Sequence, residues 1–124
     1  MTQAARPFRS VLYIPGSKER ALEKAMGLAA DAIIFDLEDA VAPDEKPAAR
    51  KLLTQVLTDW DFGRRARIVR INGFDTEWGH ADANAMDEAI ARGARIDAIL
   101  IPKVNRAADL DAVAEAVPGA DLWA

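Results

Sequence analysis

Cysteine is absent from the 124-residue sequence, and histidine occurs once, at His80. Those two gaps exclude disulfides, thiolate metal sites, a cysteine nucleophile and any His-x-x-x-His metal clasp. A single histidine in a polar loop, with no partner at ligand spacing, reads as a surface residue. Freedom from cysteine suits a reducing compartment, so a cytoplasmic location is expected. No apolar run approaches the roughly 20 residues that a membrane span needs, and the charge in residues 1–7 has no apolar segment behind it, so neither membrane insertion nor secretion is expected. Glycine-rich phosphate cradles are missing as well: Pro15-Gly16-Ser17-Lys18 holds one glycine, and no Gly-x-Gly-x-x-Gly or Walker pattern follows an apolar run. Basic residues are scattered, with 16 Lys+Arg against 20 Asp+Glu for a net charge of -4, which argues against nucleic acid as a partner.

What is present is ample material for a core, 51% of the residues being hydrophobic. Ser10–Ile14 is a compact apolar run closed by Pro15-Gly16-Ser17, which predicts a strand, a turn and a helix capped by Ser17. Leu22, Ala25, Met26 and Ala29 recur at helical spacing behind it. Ala32-Ile33-Ile34-Phe35 predicts a buried strand, and residues 44–59 an amphipathic helix with Ala48, Leu52, Leu53, Val56 and Leu57 on one face. Arg67–Asn72 predicts a third strand, residues 82–92 a helix that Gly93 ends, and Asp97–Lys103 a fourth strand. A helix over Ala107–Ala116 and a fifth strand from Asp121 complete the alternation. Strands alternating with helices imply right-handed crossovers and a parallel sheet. Without a nucleotide-binding fingerprint, the pattern favours an α/β protein of the (β/α)8 TIM-barrel type, in which functional side chains cluster at the C-terminal ends of the strands. Such a barrel takes about 250 residues. The chain therefore supplies about half of one, about four βα units, and its open sheet edges point to an oligomer or an unstable piece.

The chemistry concentrates at Asp36-Leu37-Glu38-Asp39-Ala40-Val41, three carboxylates directly after a buried strand. Each must be paired, hydrogen-bonded, solvated at a rim or bound to a cation. On pattern alone Glu38 and Asp39 also fit a loop that caps the next helix or pairs with Lys46 and Arg50. Arg70 fits a strand-ending arginine paired with an acid, Glu38 being one candidate. Asp82 fits a helix cap, or a residue that orders the loop before it. Arg64, Arg65 and Arg67 read as solvated surface, with contact to an anionic ligand as the other option.

The set Arg9-Ser10-Val11-Leu12-Tyr13-Ile14-Pro15-Gly16, Asp36-Leu37-Glu38-Asp39-Ala40-Val41, Lys46 with Ala49-Arg50, Val69-Arg70-Ile71-Asn72 and Ile101-Pro102-Lys103-Val104 closely resembles the citrate lyase beta subunit-like family of the HpcH/HpaI aldolase group. The resemblance runs over nearly the whole chain, and five linked motifs are far more specific than any one. It implies a Mg2+-dependent carbon-carbon lyase acting on a 3-hydroxyacyl-CoA thioester of the citryl-CoA or malyl-CoA type. It further implies Glu38 and Asp39 as outer-shell, water-mediated metal ligands, with the direct carboxylate ligands beyond residue 124. Arg70 is implied as the substrate clamp, Glu38 as a catalytic-site acid, and Asn72, Lys103, Ser17 and Lys18 as further substrate contacts, the last two toward coenzyme A phosphates. The implied partners are an acyl-CoA or a small 2-oxo or hydroxy acid. Two alternatives stay open: a noncatalytic half-barrel acting as a binding or assembly module, and a 2-keto acid aldolase of the HpcH/HpaI type. This length alone is expected to be inactive.

Overall fold

The computed structural model describes residues 10–27, 30–102 and 107–123. Five strands, β1 (Val11–Pro15), β2 (Ala32–Asp36), β3 (Ala66–Arg70), β4 (Ala98–Leu100) and β5 (Asp121–Trp123), alternate with four helices, α1 (Glu19–Gly27), α2 (Lys46–Asp59), α3 (Gly79–Ala91) and α4 (Ala107–Ala116). All strand pairs are parallel, and the sheet order follows the chain, β1-β2-β3-β4-β5. A doubly wound sheet reverses its order at a switch point and is covered on both faces. Here the order never reverses.

Side-chain parity shows where the helices lie. Ile33, Phe35, Val69 and Ile99 join Leu22 and Ala25 of α1, Leu53, Val56 and Leu57 of α2, Met86 of α3 and Val113 of α4 in one buried core. The opposite face carries a smaller cluster made only by strand residues, Ala32, Ile34, Ala66, Ile68 and Ala98, with Leu100 and Trp123 against it. All four helices therefore cover one face, and the other is the inside of a barrel wall. On β1 that inner face is open, with Val11 and Tyr13 44% and 55% exposed.

Local chemistry accounts for the element limits. α2 follows a 3-10 turn over Pro43–Glu45, carries a proline in its first turn where no backbone N–H is needed, and buries Ala49, Leu53, Val56 and Leu57 at helical spacing. α3 stops at Gly93, whose φ of 103° is costly for any residue with a Cβ. It starts at Gly79, three residues before the expected Asp82, and Gly79 packs where a side chain would strike the Gly73 carbonyl. Past the strand ends, backbone bonds continue across the sheet: Gly16 N to Asp36 O at 2.8 Å, Leu37 N to Arg70 O at 2.9 Å, Ile71 N to Leu100 O at 3.2 Å and Ile101 N to Trp123 O at 2.8 Å. The strand exits are thereby held level. Among the described residues no helix is long and apolar enough to cross a membrane.

Candidate active site

Parallel register sets Asp36 directly beside Arg70 at the last rung of β2 and β3, both on the inner face. Their side chains meet in a two-point ion pair, Arg70 Nε donating to Asp36 Oδ1 at 2.9 Å and Nη2 to Oδ2 at 2.6 Å. The same carboxylate accepts the N–H groups of Glu38 at 2.8 Å and Ala40 at 3.0 Å. Burial opposes the charge on Asp36 and is the largest single influence, but Arg70 and the two peptide donors together outweigh it and hold the carboxyl below its ordinary range. Arg70 is shifted the other way: its bonds to Asp36 raise its pKa against the opposing effect of burial, and the charges of Asp36, Glu38 and Asp39 add to the rise. The guanidinium is a permanent cation with Nη1 uncommitted to Asp36. Its Cζ lies 5.7 Å from the centre of the Tyr13 ring. Glu38 Oε1 stands 3.7 Å from Arg70 Nε, close enough for charge attraction and too far for a hydrogen bond.

Behind this pair lies a second, more deeply buried network. Lys46, 6% exposed at the start of α2, donates its ammonium to Leu37 O at 3.1 Å and Glu38 O at 2.7 Å. The Trp78 ring covers the ammonium with its centre 5.2 Å away. Asn72 Nδ2 donates to the same Leu37 carbonyl at 2.9 Å and to Asp82 Oδ2 at 2.6 Å. Asp82, fully buried, also takes the Asn72 N–H at 3.0 Å and Arg50 Nε at 2.9 Å.

The structure brings Arg70, Glu38, Asp39 and Asn72 to the C-terminal ends of β2 and β3. Asn72 is buried and bonded within the protein. Ser17 and Lys18 sit across β1, in an open cleft of about 310 Å3 shared with Glu45, Ala48, Ala49 and Leu52. Lys103 lies outside the described residues. Several expectations need correction. Ser17 does not cap α1: the helix begins at Glu19 and the Ser17 hydroxyl, although buried, has no hydrogen-bond partner. Arg70 pairs most closely with Asp36, because register places those two side by side, and its ion pair with Glu38 is the longer one. Lys46 holds carbonyls rather than acids, and Arg50 reaches Asp82 rather than the acid cluster. Asp82 caps nothing: it is in the first turn of α3 and its carboxylate faces Asn72 and Arg50. Arg67 is not solvated surface. It is 7% exposed, packs its guanidinium over Phe62 at 5.3 Å and lies at the N-terminal end of β3, away from the site. The sequence shows Asp36 only as one of three clustered acids and Lys46 only as a candidate partner for Glu38 or Asp39, with no site role for either. The in-register spacing of the second and third strands is the signal that exposes Asp36, while Lys46 gives none until α2 is docked.

Glu38 and Asp39 are adjacent oxygen donors of the kind a hard dication takes, and Asp39 is exposed. Asp36 is saturated by four donors and has nothing left to offer. Among the described residues no group of three or more His, Asp or Glu side chains could hold a metal ion alone. The two carboxylates are thus of a type that fits Mg2+ but do not form a complete coordination shell.

A single-faced β/α wall with a carboxylate-locked arginine and two adjacent acids defines a barrel-type α/β domain with its charged groups gathered at the strand exits. The chain belongs to the HpcH/HpaI aldolase/citrate lyase family, whose model matches residues 9–121. Over all 124 residues it is 69% identical to a (3S)-malyl-CoA thioesterase of Cereibacter sphaeroides, 42% of which it covers. It is 46% identical over 109 residues, 88% of the chain, to an L-malyl-CoA/beta-methylmalyl-CoA lyase of the same species, covering 34% of that protein. A citrate lyase beta subunit from M. tuberculosis, solved with oxaloacetate and magnesium, superposes with a TM-score of 0.66 at 36% identity over 84% of this chain and 42% of that one. The chain therefore spans less than half the length of each of these proteins.

Proposed function

We propose that residues 1–124 form the N-terminal half of one barrel domain in a Mg2+-assisted enzyme, and that this enzyme hydrolyses a malyl-CoA-type thioester. The observation that carries it is the 69% identity across the whole chain to the (3S)-malyl-CoA thioesterase. The mouth supports the substrate class. A malyl thioester carries a carboxylate and a hydroxyl beside its acyl carbon chain, and Arg70 offers a fixed cation to the carboxylate. Asp36 locks the guanidinium through Nε and one Nη2 hydrogen, which leaves the Nη1 edge to donate. Bound Mg2+, held through water by Glu38 and Asp39, would supply Lewis-acid polarisation of substrate oxygens. Asn72 acts from behind the site through the backbone of Leu37.

A second reaction on the same substrate is favoured by the 46% identity to the malyl-CoA lyase. There the bond between the hydroxyl-bearing carbon and the carbon next to the thioester breaks, yielding acetyl-CoA and glyoxylate instead of free CoA and malate.

The test is a chimera in which residues 1–124 replace the matching N-terminal part of the (3S)-malyl-CoA thioesterase. Incubation with (3S)-malyl-CoA and Mg2+ should release free thiol and malate in equal amounts. Acetyl-CoA with glyoxylate would establish the lyase instead. No turnover by a folded chimera, or turnover of free 2-keto acids only, would overturn both.

A further inference from the structure

We propose that Lys46 and Asp82 are positioning residues for Glu38, fixing the peptide that carries it and so setting where its carboxylate stands at the mouth, an inference that rests on the function proposed above.

The Glu38 backbone is held on every side. Its N–H goes to Asp36 at 2.8 Å, and its carbonyl takes Lys46 Nζ at 2.7 Å. The preceding carbonyl, of Leu37, accepts two donors, Lys46 Nζ at 3.1 Å and Asn72 Nδ2 at 2.9 Å, so both its lone pairs are used. Asn72 is itself fixed by Asp82, which bonds its side-chain amide and its N–H, and Asp82 is fixed by Arg50. One loop after β2 is thus clamped from the first turn of α2, from the exit of β3 and from the first turn of α3.

The choice of side chains points to position rather than stability. A 6%-exposed ammonium spent on two peptide carbonyls, and a fully buried carboxylate spent on an amide and an arginine, both carry heavy desolvation costs. An apolar contact of similar volume would hold a loop as well or better. What an ammonium adds is direction: it fixes the two carbonyls it binds and thereby the Leu37–Glu38 peptide plane. Trp78 lies over the ammonium and helps keep water from competing for those carbonyls. The next residue, Asp39, is exposed, so the clamp ends where the loop turns to solvent.

Lys46→Met keeps the stem and removes the donors, while Asp82→Asn keeps the shape and turns one oxygen into a donor facing donors. Both would be placed in the chimera, with Mn2+ binding followed by calorimetry and kcat and KM measured with (3S)-malyl-CoA. Metal binding should weaken by about 10- to 100-fold, the usual range for supporting residues around a metal site. The loss should fall on kcat, with KM for the thioester within about threefold of the parent. Lys46→Arg, whose guanidinium can donate to the same carbonyls, should recover part of the loss. Folded variants that bind Mn2+ and turn over as the parent does, and differ only in melting temperature, would overturn the proposal. So would a parent chimera that binds no Mn2+. If the parent binds Mn2+ but leaves malyl-CoA untouched, the functional assignment fails while the Mn2+ comparison still decides the positioning role. Should Asp82→Asn fail to fold, Lys46→Met decides by itself.

Discussion

The Asp36 carboxylate accepts four hydrogen bonds, two from Arg70 and two from the Glu38 and Ala40 peptides. Its ionised form is therefore favoured in the folded state, and its pKa falls below the ordinary 3.8. Between the lowered value and 3.8 the unfolded chain binds more protons than the folded one, so stability rises with pH there. The contribution is fully present above that interval and is lost as pH falls through the folded value. Urea midpoints of the chimera from about pH 2 to pH 7 should show this acid limb, and Asp36→Asn should flatten it. Arg70→Lys tests the neighbouring group. A lysine stays positive but cannot form the two-point pair and still offer a second edge, so kcat/KM should fall by about 100-fold or more. Steady-state kinetics with malyl-CoA check it. The residues that carry this chemistry were only partly legible. Glu38, Asp39 and Arg70 announce themselves by charge at strand exits, whereas Asp36 looks like one acid among three until pairing places it against a residue 34 positions away. Asp82 is harder still, because its partners come from α2 and the exit of β3.

Element order, by contrast, was open to direct inspection: strands of three to five and helices of nine to fourteen residues differ in period and in their closing residues. α4 falls on Ala107–Ala116 as expected, and β1, β2 and β5 lie within a residue of their expected limits. The misses gather where tertiary contacts decide. β3 ends at Arg70 and β4 at Leu100, short of the apolar runs that suggest Asn72 and Lys103: Ile71 and Ile101 still donate across the sheet but turn into the helix-side core, and Lys103 lies outside the described residues. α3 begins early, at Gly79, where the backbone is closely packed. A Cβ on Gly79 would lie 2.2 Å from Gly73 O and 2.6 Å from Gly73 C, both backbone atoms that cannot swing aside. Gly79→Ala should therefore cost about 1–3 kcal/mol through overpacking. It should also loosen the loop holding Asn72. Denaturant midpoints measure the first effect, and amide exchange at Asn72 the second.

At the scale of the molecule, the sheet offers one finished surface and one unfinished. The helix-covered face is closed, while the inner face exposes Val11 and Tyr13, and β1 and β5 each have a strand neighbour on one side only among the described residues. A mouth assembled from these strands alone surrounds a ligand incompletely. The 124-residue chain by itself should show no measurable release of thiol from malyl-CoA under conditions where the chimera turns over; equal rates would mean that this wall suffices as a catalyst. Composition and alternation revealed the barrel type, because periodicity is a property of the chain. The openness follows only from which face each strand residue takes.

The Asp36–Arg70 pair also bears on how the sheet finds its alignment. Parallel strands built from Ala, Ile and Val offer many near-equivalent pairings, since one apolar side chain substitutes for another at little cost. A slip of one residue between β2 and β3 would turn Arg70 to the helix side, and a slip of two would leave a buried carboxylate without its guanidinium. Both errors strand a charge in a poorly solvated place. In the folded sheet the pair therefore favours this one alignment over misaligned ones that hydrophobic burial alone would accept.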